Sequence, residues 1–233
     1  MSLDFFKFED IEYDIPFYNA NPPLTKSKIT ALIIGLIITF TTPFILPTEG
    51  YQIQKALIIC LATLIPILYT LKGNLSMIFR IPKLKDSIVI ILGIITLLAL
   101  TVFVNILLYL LGAGLTVNSS MNGNNIILII SLIIQLLGEE LFKLIILALT
   151  MLVVYRLLDR KTSIIIGIII AQFFFTLMYI PAYGFNPLQL ILGVCTVWSI
   201  LPIIYLQTKN IIVVYIIHLL FDLLGFLPLF ITI

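Results

Sequence analysis

Of 233 residues, 61% are hydrophobic and 10% are charged, against roughly 45–50% and 25% in soluble domains; a water-soluble core has no use for that much apolar surface. A formal net charge of +2 gives no basis for nucleic-acid binding. Cys60 and Cys195 stand apart in apolar runs, without C-x-x-C spacing, so neither a disulfide framework nor a zinc cluster is expected and both should only pack.

The first 25 or so residues (including DFFKFEDIEYDIPFYNA) are acidic and aromatic. They lack the basic-then-apolar order of a cleavable signal, so the first span is expected to act as its own membrane signal. Phe5, Phe6, Phe8, Tyr13, Phe17 and Tyr18 suit an interfacial segment over residues 1–28. Residues 29–233 then read as one transmembrane helical domain, an all-α polytopic bundle with no visible internal repeat. Its seven spans are expected near 29–47, 52–71, 87–112, 126–153, 163–180, 187–206 and 210–231, each long enough to cross about 30 Å of hydrocarbon at about 1.5 Å per residue. Alternate loops hold eleven of the thirteen Lys and Arg: Lys7, Lys26, Lys28, Lys72, Arg80, Lys83, Lys85, Arg156, Arg160, Lys161 and Lys209. The opposite loops hold Lys55 alone, which places the N-terminus in the cytoplasm by the positive-inside rule.

Five ionisable residues fall inside spans: Glu139, Glu140, Lys143, His218 and Asp222. A charge at the bilayer centre costs at least about 2.5–3.5 kcal/mol, so such residues face the bundle interior and have a partner or a task. In the fourth span (GEELFK), Lys143 is i+4 from Glu139 and i+3 from Glu140, and can reach either carboxylate. The other, desolvated beside a like charge, suits proton exchange near neutral pH; an ion pair that merely joins helices is the alternative. In the last span His218 and Asp222 share a face at i,i+4, where a carboxylate can fix an imidazole tautomer. With one histidine in the chain, H-E-x-x-H zinc chemistry is excluded. No span serine lies in G-x-S-x-G, and Asp222 is the only span Asp, so a serine nucleophile and an aspartyl dyad fail too. A glutamate-activated water survives, with no cofactor and no metal expected.

Across residues 126–225 these pieces resemble, in order, the motifs of the CAAX-protease and bacteriocin-processing (CPBP, or Abi) family: GEELFK, then FTLMYIPAYGFNPLQ at a helix end, then TKNIIVVYIIHLLFD. The resemblance implies an intramembrane glutamic endopeptidase of multi-pass bacterial cell membranes, acting on a peptide or protein substrate at the bilayer. It assigns Glu139 as general base, Glu140 as its partner, and His218 with Asp222 to the oxyanion. Two positions depart from the pattern. Tyr179 stands where the second motif has histidine, and a phenol with a reference pKa near 10 is no general base at neutral pH. Lys143 lies one residue before Leu144, where many members have arginine. Tyr179 leaves two functions in view: a protease with Tyr179 orienting the water, or a pseudoprotease acting in bacteriocin immunity or partner binding. A transporter with a Glu–Lys proton relay fits less well, for want of an inverted repeat.

Overall fold

A computed structural model describes residues 7, 9, 12–47, 50–114, 116 and 125–231. Among the described residues eight α-helices follow one another: α1 (Lys26–Ile45), α2 (Gln52–Thr70), α3 (Leu84–Leu110), α4 (Asn125–Val154), α5 (Arg160–Met178), the single turn α6 (Ile180–Tyr183), α7 (Ile200–Thr208) and α8 (Ile211–Ile231), with a π-helical segment Gln189–Thr196 leading into α7. No strand occurs among the described residues. Each expected span falls on a helix. Five stretches, α1, α2, α3, α5 and Gln189–Thr208, are long and apolar enough to cross a membrane. α4 carries the three internal charges, and α8 shows a shorter apolar stretch, Ile211–Gly225.

α4 is the axis of the bundle, packed against α1, α2, α5 and α8. Residues 138–148 are buried on every side, Glu139, Glu140 and Lys143 included. On the outer helices large apolar side chains such as Ile37, Leu92 and Phe103 stand exposed, a surface that lipid covers and water does not. Lipid supplies no hydrophobic drive between helices, so close packing has to hold them together. Glycines make it possible. A Cβ on Gly138 would lie 2.7 Å from the Cys60 Cα and the Ile59 carbonyl oxygen of α2, and one on Gly35 would lie 2.1 Å from the Ala62 oxygen.

The N-terminal segment is more than a surface collar. Ile15 and Phe17 are buried in the main core, while Tyr13 lies against the Arg80 guanidinium, 3.5 Å from the ring centroid; Phe5, Phe6 and Phe8 lie outside the described residues. Glu9 accepts two hydrogen bonds from Arg160, at 2.6 and 2.8 Å, and one from Lys209 at 2.6 Å. Arg160 also reaches Asp14 at 2.8 Å and the Tyr18 hydroxyl at 2.9 Å. One clamp therefore joins the segment to the corners α4–α5 and α7–α8. Burial works to raise the Glu9 and Asp14 carboxyls, but their hydrogen bonds and cations outweigh it and hold both below ordinary values. Tyr18, buried and donating to Asp14, is pushed up to about 12.

Two outcomes are expected. Gly138→Ala should destabilise the protein by ~1–3 kcal/mol, typical of overpacking against groups that cannot move, seen as a lower midpoint in thermal unfolding in detergent; an unchanged midpoint would contradict the packing argument. The clamp's contribution is present above the unfolded carboxylate values, about 3.9–4.3, and is lost as pH falls through the depressed folded ones. Limited proteolysis should then cut residues 9–18 faster in acid, and a pH-independent rate would show that Glu9 and Asp14 do not hold the segment.

Candidate active site

Each polar residue is set in place by a local backbone feature. Tyr179 caps the C-terminus of α5, where Pro181 in the first turn of α6 ends the regular helix because its ring and missing N–H cannot continue it. His218 depends on the corner before α8. There Lys209 adopts a left-handed conformation (φ 46°), and the Asn210 side chain accepts from the Ile212 N–H at 3.2 Å, as an N-cap does. The same side chain donates to the Arg80 carbonyl at 2.9 Å and accepts from the Arg80 N–H at 3.3 Å. That corner fixes the start of α8, with His218 two turns, ~12 Å, along it.

The adjacent glutamates face different partners. Glu139, 1% exposed, accepts from Gln135 Nε2 at 2.6 Å on Oε1 and from the Tyr179 hydroxyl at 3.0 Å on Oε2. Glu140, 2% exposed, takes both Lys143 Nζ at 2.7 Å and His218 Nδ1 at 2.5 Å on its Oε1. Of the two carboxylates open to Lys143 by spacing, Glu140 is thus the one it pairs with, and its ammonium also sits 4.3 Å from the centre of the Phe175 ring. The imidazole's carboxylate partner is likewise Glu140. Asp222, expected in that part, stands 3.8 Å from His218 Nε2, beyond hydrogen-bond length. Nε2 is buried without a hydrogen-bond partner, and the ring packs on Trp198 with centroids 4.1 Å apart.

A cavity of about 370 Å³ adjoins these residues. Tyr179, Asp222, Gln135 and Trp198 form part of its wall, together with Gln52 and Lys55 of α2 and apolar side chains of α3, α4 and α8. Glu139 lies directly behind two wall residues, Gln135 and Tyr179, and His218 behind Trp198 and beside Asp222. Of the five expected residues, Tyr179 and Asp222 stand in the cavity wall, Glu139 and His218 lie one contact behind it, and Glu140 lies deeper, bonded to His218. No cluster of three or more His, Cys, Asp or Glu suited to a metal occurs among the described residues.

Sequence reasoning missed three participants. Gln135 is i−4 from Glu139 on α4, a spacing that i,i+4 reading could have flagged. Trp198, the only tryptophan, gave no signal of its own. Lys55, counted as a loop charge, is 6% exposed in the first turn of α2 and turns inward, where its charge acts on Glu139.

Residues 121–224 match the sequence model of the family described as type II CAAX prenyl endopeptidase Rce1-like. No curated protein and no solved structure matches the chain. The matched stretch contains all five expected residues, and over these residues the chain is similar to the Rce1-like family of type II CAAX prenyl endopeptidases.

Proposed function

We propose that the protein is an intramembrane glutamic endopeptidase that cleaves a peptide or protein substrate at the membrane by water activated on Glu139. The observation that carries this reading is the different bonding of the two glutamates. Glu140 bonds to Lys143 and His218, whereas the hydrogen bonds that Glu139 accepts among the described residues come from the neutral donors Gln135 and Tyr179. A carboxylate has about four lone-pair sites, so Glu139 keeps two for a water entering from the cavity.

The steps follow from the positions. Gln135 and Tyr179 fix the Glu139 carboxylate, and Glu139 takes a proton as the water oxygen attacks the peptide carbonyl. His218 Nδ1 bonds to Glu140, and its Nε2, buried without a hydrogen-bond partner, is the side turned to the carbonyl oxygen as that oxygen becomes negative. Collapse of the tetrahedral intermediate breaks the C–N bond, and the proton held on Glu139 passes to the leaving amine. Glu140 orients the imidazole, and Asp222 stands 3.8 Å from Nε2 in the cavity wall. On the positive-inside reading the N-terminus is cytoplasmic, and the cavity, walled by residues on the uncharged-loop side of Glu139, faces away from the cytoplasm.

Tyr179 favours one other reading, a pseudoprotease that binds a peptide or partner, as in bacteriocin immunity, without cutting it. The two separate experimentally. In reconstituted membranes Glu139→Gln should lower peptide cleavage by ~10²–10⁴-fold, the contribution of a positioned general base, with the folded protein's elution profile and unfolding midpoint preserved; undiminished cleavage would rule Glu139 out as the base. Tyr179→His supplies a group able to share the water's proton and should raise cleavage on the order of 100-fold. An unchanged rate in that variant would mean that position 179 lies away from the reacting water.

A further inference from the structure

The proposed chemistry leaves Asp222 without a task. Its side chain stands in the cavity wall, 21% exposed, and its closest ionic partner among the described residues, His218 Nε2, is 3.8 Å away, beyond hydrogen-bond length. The same wall presents four aromatic rings. Trp198 and Phe221 lie edge to face with centroids 5.3 Å apart, and Tyr179 and Tyr183 stack at 6.0 Å. The Asp222 charge acts on Tyr179, and the His218 ring beside Asp222 packs on Trp198, so the carboxylate belongs to this aromatic part of the cavity. The ionisable groups in and behind the wall are three carboxylates, Glu139, Glu140 and Asp222, against two ammoniums, Lys55 and Lys143. With a neutral imidazole one negative charge is left over. Both glutamates accept hydrogen bonds, and Lys55 already acts on Glu139, so the excess falls on Asp222. A carboxylate kept from bulk water is unfavourable there unless it meets a cation when the cavity fills.

We propose that Asp222, with the rings of Trp198, Tyr179, Tyr183 and Phe221 around it, is the receptor for a cationic side chain of the substrate, the ammonium of a lysine or the guanidinium of an arginine. The assignment rests on the protease reading for which bond is cut, but not for its binding chemistry. An aromatic ring attracts a cation to its electron-rich face, an indole most of all, and a carboxylate adds charge-assisted hydrogen bonds. The methylene stem of either side chain suits the apolar part of the wall, Leu128, Leu132 and Leu224. Asp222 stands 3.8 Å from His218 Nε2, the atom turned to the reacting carbonyl, so the residue whose cation reaches Asp222 flanks the scissile bond.

Trp198 is the only tryptophan in the chain, so its emission reports binding in this cavity whether or not turnover occurs. The probes are blocked tripeptides, acetyl-Leu-X-Leu-amide with X as lysine, arginine, norleucine or glutamate, titrated into the protein in detergent near neutral pH. The tighter of the two cationic peptides should bind at least ~10-fold better than the norleucine peptide, which keeps an apolar stem without the charge, and the glutamate peptide should bind most weakly. Asp222→Asn should bring the cationic peptides down to the norleucine level, while Asp222→Glu keeps most of the difference. The order of lysine and arginine identifies the preferred cation. Equal affinities for the cationic and norleucine peptides, tighter binding of glutamate, an unresponsive Trp198 with every peptide, or a cation preference that survives Asp222→Asn overturns the proposal. The comparison among peptides on the parent protein stands even where Asp222→Asn fails to fold. Cleavage that Glu139→Gln abolishes, with no cation preference in the parent, sinks the cation site alone; undiminished cleavage in that variant, with the preference intact, sinks the catalytic reading alone.

Discussion

Three ionisable side chains within about one turn of α4 must be satisfied in the middle of a bundle, where lipid offers no partner and each lone charge costs several kcal/mol. Much of the structure follows from that requirement. α4 has to be enclosed, and residues 138–148 are buried all round. Enclosure needs helices at close range, which Gly138 allows by letting α2 approach within contact of the α4 backbone. It also needs a partner from another helix, and His218 of α8 supplies it by bonding Glu140 on the oxygen that Lys143 already holds. The ion pair and the imidazole thus lock α4 to α8, while Tyr179 locks α4 to the end of α5 through Glu139.

Adjacent positions on a helix point about 100° apart, and that geometry gives the glutamates different work. Glu140 meets cationic groups and becomes a structural member, tying up its own charge. Glu139 meets an amide and a phenol on the side where the cavity begins. A like pair in sequence is therefore an unlike pair in space, and the Lys143 charge falls on Glu140 and not on Glu139. Tyr179 fits this division. It fixes the Glu139 carboxylate by donating a hydrogen bond, and under the proposed function proton transfer then falls to Glu139.

The helices and the gathering of the motif residues were legible in the chain because both rest on local pattern. Apolar runs of span length give helices, and charges inside them must turn inward. Partner choice was not legible. Spacing allowed Lys143 to reach either glutamate, and it placed His218 and Asp222 on one face, yet the imidazole bonds to Glu140 across helices because α8 is set by the Asn210 corner and the Arg80 contacts, more than a hundred residues away in sequence. The inward turn of Lys55 and the burial of Phe17 were hidden for the same reason. Each depends on what a neighbouring element presents, and a charge at a helix start or an aromatic before a span reads the same whether it faces water, headgroups or a cavity. The π-helical winding of Gln189–Thr196 left no mark on the apolar pattern of its span either.

The two ends of the bundle differ in how their charges are used. At one end Glu9 and Asp14 gather Arg160 and Lys209 from separate loops into a closed network, with Arg80 and Asn210 fixing the start of α8. This end is stitched shut by polar contacts, and those contacts set the register of the helix that carries His218. Toward the other end the loops carry almost no charge, and the cavity lies between α2, α3, α4 and α8 with Lys55 in its wall. Under the proposed function the bundle has to hold side chains rigid while admitting a substrate, and the two tasks fall to different ends. Here rigidity is concentrated where basic loops find acidic partners, and access lies where loop charge is absent, so that Glu139 stands at the boundary between a part of the molecule that is fixed and a part that can be filled.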